Sequence, residues 1–187
     1  MAAPLIWING FPGAGKLTVT RELAGLDERI KVIDNHQLID PVEARFPRSH
    51  PQYQAARKEE RARVFAKWVL GEEHLGHTIV FTDFQSTTDG GPEVAREYEE
   101  AARKSGRPFL PVYLSCDAGV NLERAQSEER RNSRTTKLTD VAIMKSILKQ
   151  EIIFQFEGHP GLAIDNTHKS PAEVAREILD FRTRYST

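Results

Sequence analysis

The chain has 187 residues, 39% of them hydrophobic and 28% charged, and a formal net charge of −1. That length suits one domain with a substantial core, and the near-neutral charge supplies no general basic field to draw the chain to nucleic acid or an anionic membrane. The single cysteine, Cys116, excludes an internal disulfide and fits a reducing compartment, and no apolar run approaches the ~20 residues of a membrane span.

At the start, Met1-Ala2-Ala3-Pro4 lacks the basic region and long apolar core of a secretory signal, so the expected location is cytoplasmic. Leu5-Ile6-Trp7-Ile8 predicts a strand over 5–8, and a helical pattern covers 16–23. Between them lies Asn9-Gly10-Phe11-Pro12-Gly13-Ala14-Gly15-Lys16-Leu17-Thr18. A strand, a glycine-rich loop with one lysine and a helix start form the layout of a P-loop, a cradle for the phosphates of a nucleoside triphosphate. Backbone N–H groups wrap an anion closely only where no side chain intrudes. Gly10, Gly13 and Gly15 are therefore read as positions of close approach and positive φ. The helix start aims its dipole and free N–H groups at the phosphates. Lys16 adds a point charge for the β- and γ-phosphates. Gly10, Phe11, Pro12, Gly13, Ala14, Gly15, Lys16, Leu17 and Thr18 are thus the candidate binding segment for ATP with Mg²⁺.

After Gly-Lys the usual residue is Ser or Thr, whose hydroxyl binds Mg²⁺; here Leu17 stands there and Thr18 follows. The order Gly-x-Pro-Gly-x-Gly-Lys-x-Thr resembles the adenylate-kinase type of P-loop. That resemblance implies that Thr18 touches the α-phosphate and that Mg²⁺ is held largely through water.

A second strand is predicted over 30–33, followed by Asp34-Asn35-His36. Asp34 could accept or orient the proton of an acceptor hydroxyl; the alternative is a capping or turn carboxylate. A helix over 52–70 follows, whose charged stretch Arg57-Lys58-Glu59-Glu60-Arg61-Ala62-Arg63 reads as a solvated face or, alternatively, a partner face. The strand over 78–82 ends at Asp83, which could serve the water shell of Mg²⁺, contact the acceptor, or be a turn acid. A helix over 93–104 and a strand over 109–114 come next. Beyond them lie Arg124, Arg130, Arg131 and Arg134, read as a lid over about 124–139 whose cations meet phosphate, against the alternative of a solvated helix paired with glutamates. Arg130 and Arg134 are the candidate catalytic arginines; Arg124 and Arg131 are the candidate nucleotide contacts. A helix over 140–154 and a strand over 162–164 follow. Ser170-Pro171-Ala172-Glu173 then marks the last helix with a serine cap, a first-turn proline and a reciprocal glutamate. The histidines show no metal-ligand spacing, so no zinc site is expected. Strands alternating with helices predict a parallel sheet covered on both faces, with polar residues at the carboxyl ends of strands forming the site.

Taken together, the chain resembles a small P-loop kinase of the adenylate-kinase-like superfamily. Ile6-Trp7-Ile8-Asn9-Gly10 with Gly13-Ala14-Gly15-Lys16 is similar to tunicamycin-resistance ATP-binding proteins. Leu114-Ser115-Cys116 with Leu122-Glu123-Arg124 resembles those proteins and chloramphenicol phosphotransferases. Ile164-Asp165-Asn166-Thr167 with Ser170-Pro171-Ala172-Glu173-Val174 matches their closing strand and helix. The resemblance implies a three-layer α/β P-loop NTPase fold, with a five-stranded parallel sheet of order 2-3-1-4-5 and helices on both faces. It also implies that the loop bearing Asn166 and Thr167 passes near the adenine. It does not imply the acceptor, because the region about 35–76 matches no named family. The expected function is an ATP-dependent phosphotransferase acting on a small hydroxyl- or phosphate-bearing molecule, as monomer or homodimer. Lys16, Asp34 and Asp83 are its catalytic candidates, and Thr18 and Asp83 would hold the metal through water. Two alternatives stay open: a nucleoside-monophosphate kinase using Arg45, Arg48 and Arg57, and a nucleotide-binding switch without turnover.

Overall fold

The computed structural model describes residues 2–125 and 141–185. Five strands occur in it: β1 (Leu5–Gly10), β2 (Ile30–Ile33), β3 (Thr78–Asp83), β4 (Phe109–Ser115) and β5 (Leu162–Asp165). They form one sheet of order β2-β3-β1-β4-β5, and every pair is parallel. The order expected from the resemblance is the order found. The helices among the described residues are α1 (Lys16–Leu26), α2 (His36–Glu43), α3 (Tyr53–Trp68), α4 (Gly91–Lys104), α5 (Ala118–Ala125), α6 (Val141–Gln150) and α7 (Pro171–Thr183). None of them is long and apolar enough to cross a membrane.

The period of two along a strand decides the layering. On β1, Leu5 and Trp7 face one side, where Phe65 of α3 and Tyr98 of α4 pack with Phe81. Ile6 and Ile8 face the other, with Val19 and Leu23 of α1 and Val174 and Ile178 of α7. All six residues of β1 are buried, as a central parallel strand covered on both faces requires. α7 starts with the predicted capping box: Ser170 Oγ accepts from Glu173 N at 3.3 Å, and Ser170 N donates to Glu173 Oε2 at 2.7 Å.

Three expectations are corrected. The helix read over 140–154 ends at Gln150. Residues 151–156 leave it as an extended strap, with Thr87 N donating to Ile152 O at 2.8 Å and Phe154 N to Gln85 O at 3.0 Å. The extended backbone lets Ile153, Phe154 and Phe156 pack on the sheet's core, with Phe156 edge-on to Trp7 at 5.6 Å. Second, α2 has no counterpart in the sequence reading. Pro41 inside it disguises a helix whose Leu38 and Val42 are buried. Third, the charged stretch of α3 is a solvated face only in part: Lys58, Glu59 and Arg63 are exposed, but Arg57, Glu60 and Arg61 are buried.

At the amino ends of the strands, Arg107 acts as a clamp. Its guanidinium donates to Val69 O (3.0 Å), Ala3 O (2.7 Å), His77 O (2.8 Å) and His74 O (2.7 Å). One buried side chain thus joins the carboxyl end of α3 to the chain entering β1 and β3. Charge-assisted bonds to carbonyls that lack water are individually strong. Arg107→Ala is expected to lower the free energy of unfolding by about 3–5 kcal/mol, read from urea denaturation, whereas a loss below about 1 kcal/mol would refute the clamp.

Candidate functional site

The loop after β1 is built from backbone constraints. Gly10 closes β1 beside β4, and a Cβ there would overlap the carbonyl oxygen of Leu114. Its φ is not positive, so close approach alone, not left-handed backbone, explains this glycine. Gly13 and Gly15 do adopt φ of 92° and 81°. A Cβ on Gly13 would also collide with Asn121 of α5. Gly15 caps α1 without any side-chain bond, and the first turn of α1 carries no acid. No side chain therefore caps that helix start, which suits an anion there, in contrast to the fully boxed start of α7. Lys16 Nζ folds back over the loop and donates to Gly10 O at 2.6 Å and Phe11 O at 2.9 Å.

The loop after β5 supports this cradle through a side chain rather than backbone. Asn166 is buried; its Nδ2 donates to Ala14 O at 2.8 Å. Arg124 donates to Asn166 Oδ1 at 3.1 Å and to Asn166 O at 3.3 Å. Thr167 instead forms a turn clamp, donating to Asp165 Oδ1 at 2.6 Å and accepting from Asp117 N at 2.8 Å.

Opposite the loop, Thr82 Oγ1 donates to Asp34 Oδ1 at 2.7 Å. Asp83 is 1% exposed, and its carboxylate is held mainly through one oxygen. Oδ1 accepts from Asn35 Nδ2 (2.9 Å), Phe84 N (2.8 Å) and Gln85 Nε2 (3.0 Å), and Gln85 Nε2 lies 3.0 Å from Oδ2 as well. Gln85 is in turn fixed by Asn9: Gln85 N donates to Asn9 Oδ1 at 2.8 Å, and Asn9 Nδ2 donates to Gln85 O at 2.8 Å and Phe154 O at 3.0 Å. Behind Asn35 stands α3. Arg57 Nη2 donates to Asn35 Oδ1 at 3.1 Å, and Arg61 grips Glu97 with bonds of 2.6 and 3.1 Å. Burial pulls the Arg61 guanidinium down, but those bonds and the Glu97 charge carry it above its usual range. Burial likewise raises the Tyr53 phenol and pushes that of the fully buried Tyr98 well above the ordinary value.

These groups line one cleft of about 760 Å³ at the carboxyl ends of the strands. It brings together Pro12, Gly13, Gly15, Lys16, Leu17, Thr18, Asp34, Asp83, Arg124 and Asn166 from the sequence reading. Gly10, Phe11 and Ala14 support the loop without lining the cleft, and Thr167 does not line it either. Arg130, Arg131 and Arg134 lie outside the described residues. Of the arginines considered for a phosphate-bearing acceptor, Arg48 and Arg57 line the cleft; Arg45 instead donates to Pro41 O at 3.3 Å. Asn9, Asn35, Arg61 and Gln85 were not singled out by sequence reasoning. For Asn35 the available signal was its place beside Asp34 at a strand end; for Arg61 it was its spacing of one helical turn from Arg57. No group of three or more His, Cys, Asp or Glu side chains able to hold a metal ion occurs among the described residues.

No protein-family model matches the chain, and no curated protein matches it in sequence. Its fold is that of solved P-loop small-molecule kinases. A gluconokinase from Sinorhizobium meliloti is 19% identical with a TM-score of 0.63, over 98% of this chain and 93% of that one. The APS kinase CysC of Mycobacterium tuberculosis, in complex with AMPPNP and APS, is 19% identical with a TM-score of 0.58, over 96% of each chain. The tunicamycin resistance protein of Deinococcus radiodurans is 16% identical with a TM-score of 0.55, over 96% of this chain and 95% of that one.

The loop geometry makes Gly13 intolerant of any side chain. Gly13→Ala combines a left-handed backbone with a steric overlap on α5, and it is expected to destabilise the protein by about 2–3 kcal/mol in chemical denaturation. Gly25, whose added Cβ meets nothing within 4 Å, serves as the control and should accept alanine without loss.

Proposed function

We propose that the protein is an ATP-dependent phosphotransferase that moves the γ-phosphoryl group of ATP to the hydroxyl of a small acceptor. The observation that carries this reading is the single cleft in which an uncapped helix start and Lys16 face two carboxylates of different character, Asp34 and Asp83. The fold shared with kinases of small molecules supports it.

The two carboxylates divide the work. Asp83 has Oδ1 taken by three fixed donors and Oδ2 sharing only Gln85 Nε2, which suits a fixed partner for a water of the metal shell rather than the proton acceptor. Asp34 has one oxygen engaged by Thr82 and the other without a bond among the described residues, which suits the general base. In the reaction, the acceptor oxygen forms a bond to the γ-phosphorus. The bond from that phosphorus to the β–γ bridging oxygen breaks, and ADP leaves with the electron pair. The hydroxyl proton passes to Asp34. Lys16 and the loop N–H groups bind the β- and γ-phosphates and stabilise their charge. Mg²⁺ needs only one or two carboxylates when phosphates and waters complete its shell, so Asp83 and Thr18 fit a site that holds it through water. When bound, it neutralises phosphate charge. Arg124, anchored on Asn166, borders the nucleotide half of the cleft.

The test is ³²P transfer from γ-labelled ATP into a small-molecule extract. Lys16→Ala should abolish labelling. Asp34→Asn should lower kcat by about 10²- to 10⁴-fold while ATP affinity stays within about threefold. Folded wild-type protein that binds ATP and labels nothing would refute the phosphotransfer, and Asp34→Asn at full rate would remove the base.

A further inference from the structure

Arg57 and Arg61 stand one helical turn apart on α3, and both line the cleft. Both are deeply buried, at 7% and 4% exposure. Their charges are treated differently. Arg61 has a carboxylate, Glu97, on two of its nitrogens. Arg57 has a neutral amide, Asn35, on one nitrogen, and its Nη1 is buried with no partner among the described residues. No ion pair to Arg57 occurs among those residues either. The neighbouring cation of the cleft is already matched, since Arg48 pairs with Glu43. Glu60, a carboxylate that feels the Arg57 charge, spends its oxygens on Arg63 and makes no direct bond to Arg57. A buried guanidinium bonded directly only to a neutral amide is unfavourable, and its shape suits planar, two-point binding of an oxyanion.

Asn35 relates this cation to the reacting end of the cleft. Its amide oxygen accepts from Arg57 and its amide nitrogen donates to Asp83, so both of its neighbours fix the same orientation. A ligand bound at Arg57 therefore lies one carboxamide away from Asp83, beside Asp34 in the same cleft.

We propose that the acceptor is an anionic alcohol, whose oxyanion, a carboxylate or a phosphate monoester, is received by Arg57 while its hydroxyl is presented to Asp34. This rests on the phosphotransfer reading above. It goes further in naming the charge that the acceptor must carry and the residue that selects it. A guanidinium with an open, unpartnered nitrogen at this place also predicts that a neutral alcohol of the same skeleton is a poor substrate.

The experiment splits a small-molecule extract on an anion-exchange resin before reaction with γ-labelled ATP and the full-length protein. The retained fraction should yield the labelled product and the flow-through none. Product formed only from the flow-through would overturn the proposal while keeping the kinase. No label from either fraction, with ATP still bound, would refute the phosphotransfer reading and this inference with it. Phosphatase treatment of the retained fraction tells the sources apart, because a carboxylate acceptor survives it and a phosphate monoester does not; either result fits Arg57.

Arg57→Gln should raise KM for the active fraction about 30-fold or more, with ATP affinity within about threefold, and Arg57→Lys should recover part of the loss. An unchanged KM in Arg57→Gln overturns the assignment. Stability supplies an independent reading. If Arg57 is kept for a ligand, ligand-free Arg57→Met should melt at the parent temperature or above it. A fall of more than about 5 °C would give the arginine to the fold instead.

Discussion

One buried carboxamide holds the two halves of the cleft in fixed relation. Asn9 is the last side chain before the phosphate loop, and in register it sits opposite Asp83. It uses both amide atoms on the chain after β3 and on the 151–156 strap. A fully satisfied polar network of this kind specifies one arrangement, because any shift would strand a buried donor or acceptor. The loop that cradles phosphate, the carboxylate of Asp83 and the strap thus share a single anchor. Neither a valine nor a leucine at that point of an otherwise apolar strand could supply it.

The fold was largely legible because the physics that sets it is local. The apolar run of β1, the glycine-lysine loop and the Ser170 capping box each declare themselves within a few residues. What escaped depends on partners far away in sequence. Arg57 and Arg61 look like members of a solvated charged run until Asn35 and Glu97 are brought against them from 22 and 36 residues away. The strap over 151–156 follows a helical pattern without a break, and only the pull of Trp7 and its aromatic neighbours on Phe154 and Phe156 straightens it. Asp34 and Asp83 were found from their strand ends, but which one is held by more donors could be seen only in three dimensions. Gly10 was identified correctly for the wrong reason: its neighbour β4, not its φ, excludes a side chain.

The two ends of the sheet face opposite electrostatic tasks. At the amino ends, one guanidinium donates to four carbonyls. At the carboxyl ends, α1 begins without a side-chain cap and Arg57 remains without a direct ion pair among the described residues. At the carboxyl ends the fold thus leaves a helix start and a guanidinium short of partners where a ligand arrives. That is the pattern expected when stability is given up locally for binding.

The strand order carries a consequence for the newborn chain. β1 precedes both of its partners in the chain and is the centre of the finished sheet, yet those partners end at Asp83 and Ser115. Until those segments emerge from the ribosome, the apolar strand has two unpaired edges and nothing to cover its faces. Parallel pairing across such separations is slow, since the intervening chain must be ordered before the contacts form. The phosphate loop therefore cannot take shape before the segments that follow it. Gly10 waits on β4, Gly13 on α5 and Gly15 on the loop after β5, so a segment made before its partners is among the last to become a site.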